Sequence, residues 1–479
     1  MQQTVRRPRL LVIGLSVVVL TVAVLQTAVV PVLGVIAEQL DASTVAVSWA
    51  VTANLLAAAA ATPLIGRLAD LYRKKRVLLG VLAVVLAGSV LAAVTASLPL
   101  LILARVLQAA SFALYPICIA ILREELPPER MVSAMAVLSG MLGFGGGAGL
   151  VVVGLLMSGD AGYHRVFVLT TAFTVAVIVI VLTLVPNRPR SSSGSVDWLG
   201  AAGLALGLSA LLLAITQANS WGWLSARTLT CLGGGVAVLA AWWLWEKRAP
   251  RPLVSISMLA RRSMLFTNLA TIFVGMGLYF AFLGLTQFVQ VDRDVAGYGF
   301  GASVLEASVI YLLPGAVTGF VIALISGRFI DRYGARPVLV IAALVGIAGF
   351  LLIAFVHSEP WQVIIANILA NAYISLGYGA LPALVVGDSE ACETGVATGM
   401  NAIARTVGSS TAAALVAVLL ARTTAAGAPM ESSFTIIFLA GAGTAVLAMV
   451  LIAVSRPRAR AVESDEARYE SRAMNHEWG

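Results

Sequence analysis

Long apolar runs dominate the chain, and short polar turns or turns containing glycine or proline interrupt them. A helix of about 20 apolar residues crosses the hydrocarbon core of a bilayer. Runs of that length recur at approximately 10–36, 47–68, 77–97, 99–123, 132–157, 165–186, 197–216, 226–246, 264–290, 304–328, 337–357, 361–386, 396–421 and 433–455. Transmembrane strands would be shorter and would alternate apolar with polar residues, which these runs do not. The first run is too long for the apolar region of a secretory signal and reads as a permanent helix. The pattern therefore predicts an all-α integral membrane protein of fourteen transmembrane helices. Nothing between the runs has room for a soluble domain. The longest intervening pieces are "PNRPRSSSGSVD", "EKRAPRPLVSISMLARRS" and the tail after Arg456, whose mixed charges read as a solvated, disordered end.

Charge adds orientation to this picture. Cytoplasmic loops hold the excess of lysine and arginine. Fourteen spans place both termini on one side, and 25 of the 31 cations fall in the termini and alternate loops of that side. Arg165, Arg227, Arg293 and Arg422 fall on the other side, and Arg105 and Arg405 lie within spans. The predicted location is the plasma (inner) membrane, multi-pass, with cytoplasmic termini. The net charge of +8 sits on no soluble basic domain, so nucleic acid is not an expected partner. Cys118, Cys231 and Cys392 have no CxxC spacing, and His164, His357 and His476 are scattered, so no disulfide, metal site or cofactor is expected. No nucleophile, base and acid fall into a catalytic spacing, which predicts a protein that is not an enzyme. Arginine outnumbers lysine by about nine to one, as in a GC-rich bacterial coding sequence.

One polar pattern occurs twice. Gly66-Arg67-x-x-Asp70-x-Tyr72 ends the second run, and Gly327-Arg328-x-x-Asp331-x-Tyr333 ends the tenth. Matched loops in equivalent places indicate duplication, and parallel six-helix repeats are one architecture of secondary transporters. The expected organisation is an N-terminal six-helix half over 1–190, two inserted linker helices with their loops over 191–262, a C-terminal six-helix half over 263–456, and a cytoplasmic tail over 457–479. Glycine permits close helix contact, and a carboxylate at a loop can face the positive N-terminus of a neighbouring helix.

Together with three further stretches, these motifs resemble the major facilitator superfamily, in particular its fourteen-helix branch of drug/proton antiporters. Gly66, Leu68, Asp70, Lys74 and Lys75 match the family's loop signature, from which Leu71 and Arg73 depart, and the second copy matches at Gly327, Asp331, Arg332 and Gly334. The resemblance implies that this charged knot latches the two halves together on the cytoplasmic side and breaks during transport. The cations of "RKKR" are also explained by topology alone. "RVLQAASFALYP" carries the helix-four signature at Arg105 and Gln108, with Ala109 where glycine is usual. "GFGGGAGLVVVGLL" keeps the exporter spacing at Gly145, Gly149 and Gly154, with Leu150 in place of proline and Val153 in place of a glycine. "ETGVATGMNAIARTVGSS" resembles the opening of helix thirteen and carries Arg405. An arginine inside a span is expensive unless it faces a cavity or a partner, which makes Arg105 and Arg405 candidates for coupling or substrate contact.

Protons are the coupling ion that the resemblance implies, yet Gln26 stands where many relatives carry an acid, and glutamine does not titrate. Glu306, near the outer end of the tenth run, is the remaining candidate carboxylate, or an interfacial glutamate. The scarcity of buried acids favours a lipophilic, neutral or anionic substrate over a strongly cationic one. The function expected is export of small lipophilic compounds by alternating access within a lipid-embedded monomer, probed against two alternatives: an uncoupled facilitator or lipid flippase on the same fold, and a non-transporting receptor or sensor.

Overall fold

The computed structural model describes residues 8–29, 32–157, 162–188, 195–250, 252–390, 393–422 and 428–455. Among these, fourteen helices are long and apolar enough to cross a membrane: α1 (Pro8–Thr27), α2 (Ala46–Leu71), α3 (Lys74–Val94), α4 (Leu98–Glu125), α5 (Arg130–Leu156), α6 (His164–Leu184), α7 (Trp198–Trp221), α8 (Ala226–Glu246), α9 (Arg262–Gln290), α10 (Ala307–Tyr333), α11 (Ala335–Phe355), α12 (Pro360–Asp388), α13 (Thr394–Leu420) and α14 (Glu431–Val454). Each overlaps one predicted run. The first run divides, because α1 stops at Thr27 and a separate short helix spans Leu33–Gln39; the sequence has a proline at 31, which lacks the N–H that a continuous helix needs. Leu150, Cys392 and the tail from 456 lie outside the side chains or residues described.

Local sequence sets the helix starts. The hydroxyl of Ser43 accepts from the amide of Ala46 at 3.2 Å, Asp197 accepts from Gly200 at 2.9 Å to open α7, and Ser225 accepts from Thr228 at 3.2 Å to open α8. Each satisfies an amide that no preceding turn can serve. Two irregular turns interrupt the ladder, a 3-10 stretch at Ala109–Ala113 in α4 and a π turn at Ala307–Leu312 at the start of α10.

Packing repeats with a shift of eight helices. In the first half α1 packs on α5 and α6, α3 on α4 and α6, and α2 on α4; in the second, α9 packs on α13 and α14, α11 on α12 and α14, and α10 on α12. The contacts between halves obey the same rule, α2 on α13 matching α10 on α5, and α4 on α13 matching α12 on α5. Lipid gives no hydrophobic drive to helix pairing, so small residues that allow close approach carry it. A Cβ on Gly275 would lie 2.6 Å from the carbonyl oxygen of Arg405, and one on Gly408 would lie 2.0 Å from that of Ile272, which fixes the α9–α13 seam. The hairpin α7–α8 stands outside both repeats, with α7 seated against α2 and α13. The face that carries residues 8 and 455 is called the terminal face below, and its opposite the distal face.

Candidate functional site

Arg105 sits two turns into α4 from its start at Leu98 and is 1% exposed. Its guanidinium donates to the carbonyls of Leu25 at 3.1 Å and Ala50 at 3.3 Å and to Oε1 of Gln108 at 2.6 Å. Gln108 in turn donates to the hydroxyl of Ser89 at 2.9 Å, and Asn54 donates to the carbonyl of Arg105 at 2.7 Å. The pair that the sequence singles out therefore ties α1, α2, α3 and α4 into one unit. A buried cation needs such partners, and here backbone carbonyls supply them.

Beside this unit lies a cavity of about 420 Å³, walled by α1, α2, α4, α5, α7, α9, α10, α12 and α13. It occupies the distal half of the bundle, as the lining residues Gln26 near the end of α1, Asn219 near the end of α7 and Ser308 near the start of α10 show. Its walls are largely apolar, with amides and hydroxyls from Gln26, Asn54, Asn367, Asn371, Ser375 and Ser409 among them. No aspartate or glutamate lines it among the described residues, and its ionised groups are Arg105 and Arg405. Arg405 differs from Arg105 in its partners. Its guanidinium lies over the rings of Tyr378, 4.9 Å from the centroid, and Tyr115, at 5.4 Å. No described residue accepts a hydrogen bond from it. Ring faces stabilise a cation without occupying its N–H groups, and Arg405 is among the residues that line the cavity.

Below the cavity the two halves meet on the terminal face. Asp70, 2% exposed at the end of α2, accepts from the amides of Gly395 at 2.9 Å and Val396 at 3.0 Å, the second and third residues of α13. A carboxylate on the N-terminal amides of a helix answers both their open hydrogen bonds and the positive end of the helix dipole. The contact needs the helices to be very close. A Cβ on Gly66 would lie 2.7 Å from the carbonyl oxygen of Gly395, so Gly66→Ala should force α2 from α13 and lower transport about ten-fold, at the overpacking cost of roughly 1–3 kcal/mol. Transport at the wild-type rate by Gly66→Ala, in protein that inserts and purifies normally, would show that this approach is not needed.

The second copy is placed at the equivalent position and is weaker. Gly327 packs on Ser133 of α5, where a Cβ would meet its Cα at 2.3 Å. Asp331, however, is exposed and receives only the hydroxyl of Ser133, at 3.3 Å, among the hydrogen bonds resolved. Closer agreement with the family signature thus does not give the tighter contact. Arg332 is exposed and stacks over the ring of Tyr333, and Gly334 ends α10 at φ +85°, a conformation suited to glycine.

The lysines take partners within the first half. Lys74 pairs with Glu124, and Lys75 donates to the carbonyl of Leu182 at 2.9 Å. Both fasten the start of α3 to its own neighbours, and a cation that hydrogen-bonds across the halves on this face is one that no motif singles out. Arg123, at the end of α4, donates to the hydroxyl of Ser389 at 3.1 Å, to its carbonyl at 3.0 Å and to the carbonyl of Glu390 at 3.2 Å, and also reaches Thr394. Nearby, Arg188 forms a two-pronged pair with Glu125 at 2.7 and 2.9 Å, which raises the pKa of its guanidinium further above the usual range.

Glu306 lies outside the cavity wall. It is exposed, accepts from the amide of Ser303 at 2.8 Å, and its own amide donates to the Ser303 hydroxyl at 3.2 Å. This reciprocal cap holds its carboxyl below the usual carboxylate range. A charge so held is a helix start, and the geometry gives it no contact with the cavity. In α5 the glycines divide between two seams. Gly145 and Gly149 admit Leu20, Ala23 and Thr27 of α1, while Gly154 faces Leu305 across the halves.

The family model described as Major Facilitator Superfamily matches residues 15–413 and, overlapping, 267–474. The chain is 29% identical over 430 residues to the tetracenomycin C resistance and export protein of Streptomyces glaucescens, covering 87% of this chain and 76% of that one. It is 27% identical over 361 residues to the uridine/deoxyuridine transporter of Lactococcus lactis, covering 73% of each. The crystal structure of the human organic anion transporter MFSD10 superposes with a TM-score of 0.63 at 16% identity over 93% of this chain and 99% of that one, a likeness of fold. With its two matched six-helix halves, a cavity between them and a family match across most of its length, the chain belongs to the major facilitator superfamily.

Proposed function

We propose that the protein exports small lipophilic compounds, neutral or anionic, from a bacterial cytoplasm by alternating access, as a monomer in the inner membrane with both termini inside. The observation that carries this reading is the cavity, which is of a size that takes one small molecule, has mostly apolar walls, lacks an acid among the described lining residues and offers one cation with free donors, Arg405. A desolvated organic cation would find no countercharge there. The name of the Streptomyces relative, a resistance and export protein, supports the outward direction. The fourteen helices and the helix-five glycines support placement in the drug/proton antiporter branch, with proton influx as the driving force.

Gln26 in the cavity wall favours a second reading, a facilitator or lipid flippase that uses no proton, because the titratable group expected at that position is an amide. Accumulation assays in efflux-deficient bacterial cells separate export from both silence and import. Expression should lower the cellular content of lipophilic anions and neutral compounds several-fold and leave quaternary cations unchanged, and an uncoupler should abolish the difference. Unchanged content for all classes, or higher content on expression, contradicts export, and an effect that survives the uncoupler favours the facilitator or flippase.

A further inference from the structure

We infer that the inserted helix α7 is a wall of the substrate cavity, closing the gap between α2 and α13, and that Thr216 and Asn219 on it help to select the substrate. The inference rests on the reading that substrates pass through this cavity. Both side chains line it, beside Leu55 of α2 and Ala414 and Ala417 of α13. Asn219 donates to the carbonyl of Ala414 at 3.0 Å and accepts from the indole of Trp223 at 2.9 Å, so its amide is clamped at the α13 edge. Ser209, midway along α7, reaches the carbonyl of Leu56 on the α2 edge at 3.5 Å.

The two neighbours diverge around this helix. On the terminal side α2 and α13 touch directly, at Gly66 and Gly395 and through Asp70. Toward the distal side α7 bridges them by the Ser209 and Asn219 contacts. Its partner α8 is a lipid-side helix, with 17% of its most apolar stretch buried against 39% for α7. Among the described residues no equivalent of α7 exists in the repeat, so the α5–α10 side of the bundle closes by direct packing and the α2–α13 side closes through an added element. One N–H and one lone pair of Asn219 remain for a ligand, and the Thr216 hydroxyl, which donates to the carbonyl of Leu212 at 2.8 Å, can still accept. They suit a substrate carbonyl or hydroxyl.

Two measurements on the full-length protein in liposomes test this. Thr216→Cys and, as a lipid-side control on the same helix, Leu206→Cys are made in a chain whose three native cysteines are serine, and a water-soluble thiosulfonate is applied on both sides. Thr216→Cys is expected to react, more slowly when a transported compound is present, and Leu206→Cys to stay unlabelled. Asn219→Ala should then change the ratio of transport rates between a hydroxyl-bearing compound and its deoxy analogue about five-fold, the worth of one hydrogen bond of about 1 kcal/mol, while Leu206→Ala leaves that ratio alone. An unreactive Thr216→Cys, or rates that fall alike for both compounds in Asn219→Ala, overturns the inference and leaves α7 a brace. If the wild type moves no compound, the transport reading fails, and the labelling pattern still decides whether α7 walls the cavity.

Discussion

Asp70→Asn is expected to leave insertion and yield close to wild type while opening the terminal face and reducing transport more than ten-fold. The carboxylate holds two backbone amides of α13 with both oxygens, at 2.9 and 3.0 Å, in a contact nearly closed to solvent. An amide of the same shape offers one acceptor and presents N–H against N–H at the other position, and it loses the charge that faces the helix dipole. Loss of about 2 kcal/mol is the expected size for a partly buried charge at a helix terminus, and at 1.36 kcal/mol per decade this moves the closed population about thirty-fold. Hydrogen exchange reads the contact itself. The amides of Gly395 and Val396 should exchange about thirty-fold faster in Asp70→Asn, while α11, remote from the latch, keeps its protection. Unchanged exchange at 395 and 396 together with full transport would remove the latch from the mechanism.

The second large effect is expected at Arg405. It is the cavity cation whose donors are not taken up by protein acceptors, unlike Arg105, which is held by the carbonyls of Leu25 and Ala50. A hydrogen bond to a charged group contributes roughly 1.5–3 kcal/mol. Arg405→Ala should therefore raise the KM for an anionic compound about thirty-fold and change that for a neutral analogue by less than about three-fold. Arg405→Lys should fall between, since it keeps the charge and loses the planar group that stacks on Tyr378 and Tyr115. Equal losses for anionic and neutral compounds in Arg405→Ala would mean that the residue props the two tyrosines and does not meet the substrate.

The helices and the duplication were legible in the sequence because the bilayer imposes them. An apolar span must be long enough to cross, and a guanidinium at such depth must have a reason to be there, which is how Arg105 and Arg405 stand out on residue pattern alone, while Asp70 stands out through the motif repeated at Asp331. Direction within a charge run is not legible in the same way. Lys74 and Lys75 sit one turn from the latch and bond to Glu124 and Leu182 in their own half, whereas Arg123, in the last turn of α4 and in no motif, reaches across to the other half. The cavity wall was also hidden. A threonine in a span returns its hydroxyl to a carbonyl four residues back whether it lines a cavity, as Thr216 does to Leu212, or faces outward, as Thr183 does to Val179, so the local pattern is the same in both places. Likewise Asp331 carries the better signature and the weaker contact, since the signature records the loop and not what the opposite helix presents to it.

The most direct measurement is transport by the purified protein in liposomes, using a lipophilic anion and its neutral analogue, with and without an imposed proton gradient and with a pH-sensitive dye inside. The account predicts movement of both compounds against their own gradients when protons flow the opposite way, with matched pH change in the lumen, and loss of both signals in Asp70→Asn. Movement that only equilibrates the compound, at a rate indifferent to the proton gradient, would contradict coupled export and leave the facilitator in its place.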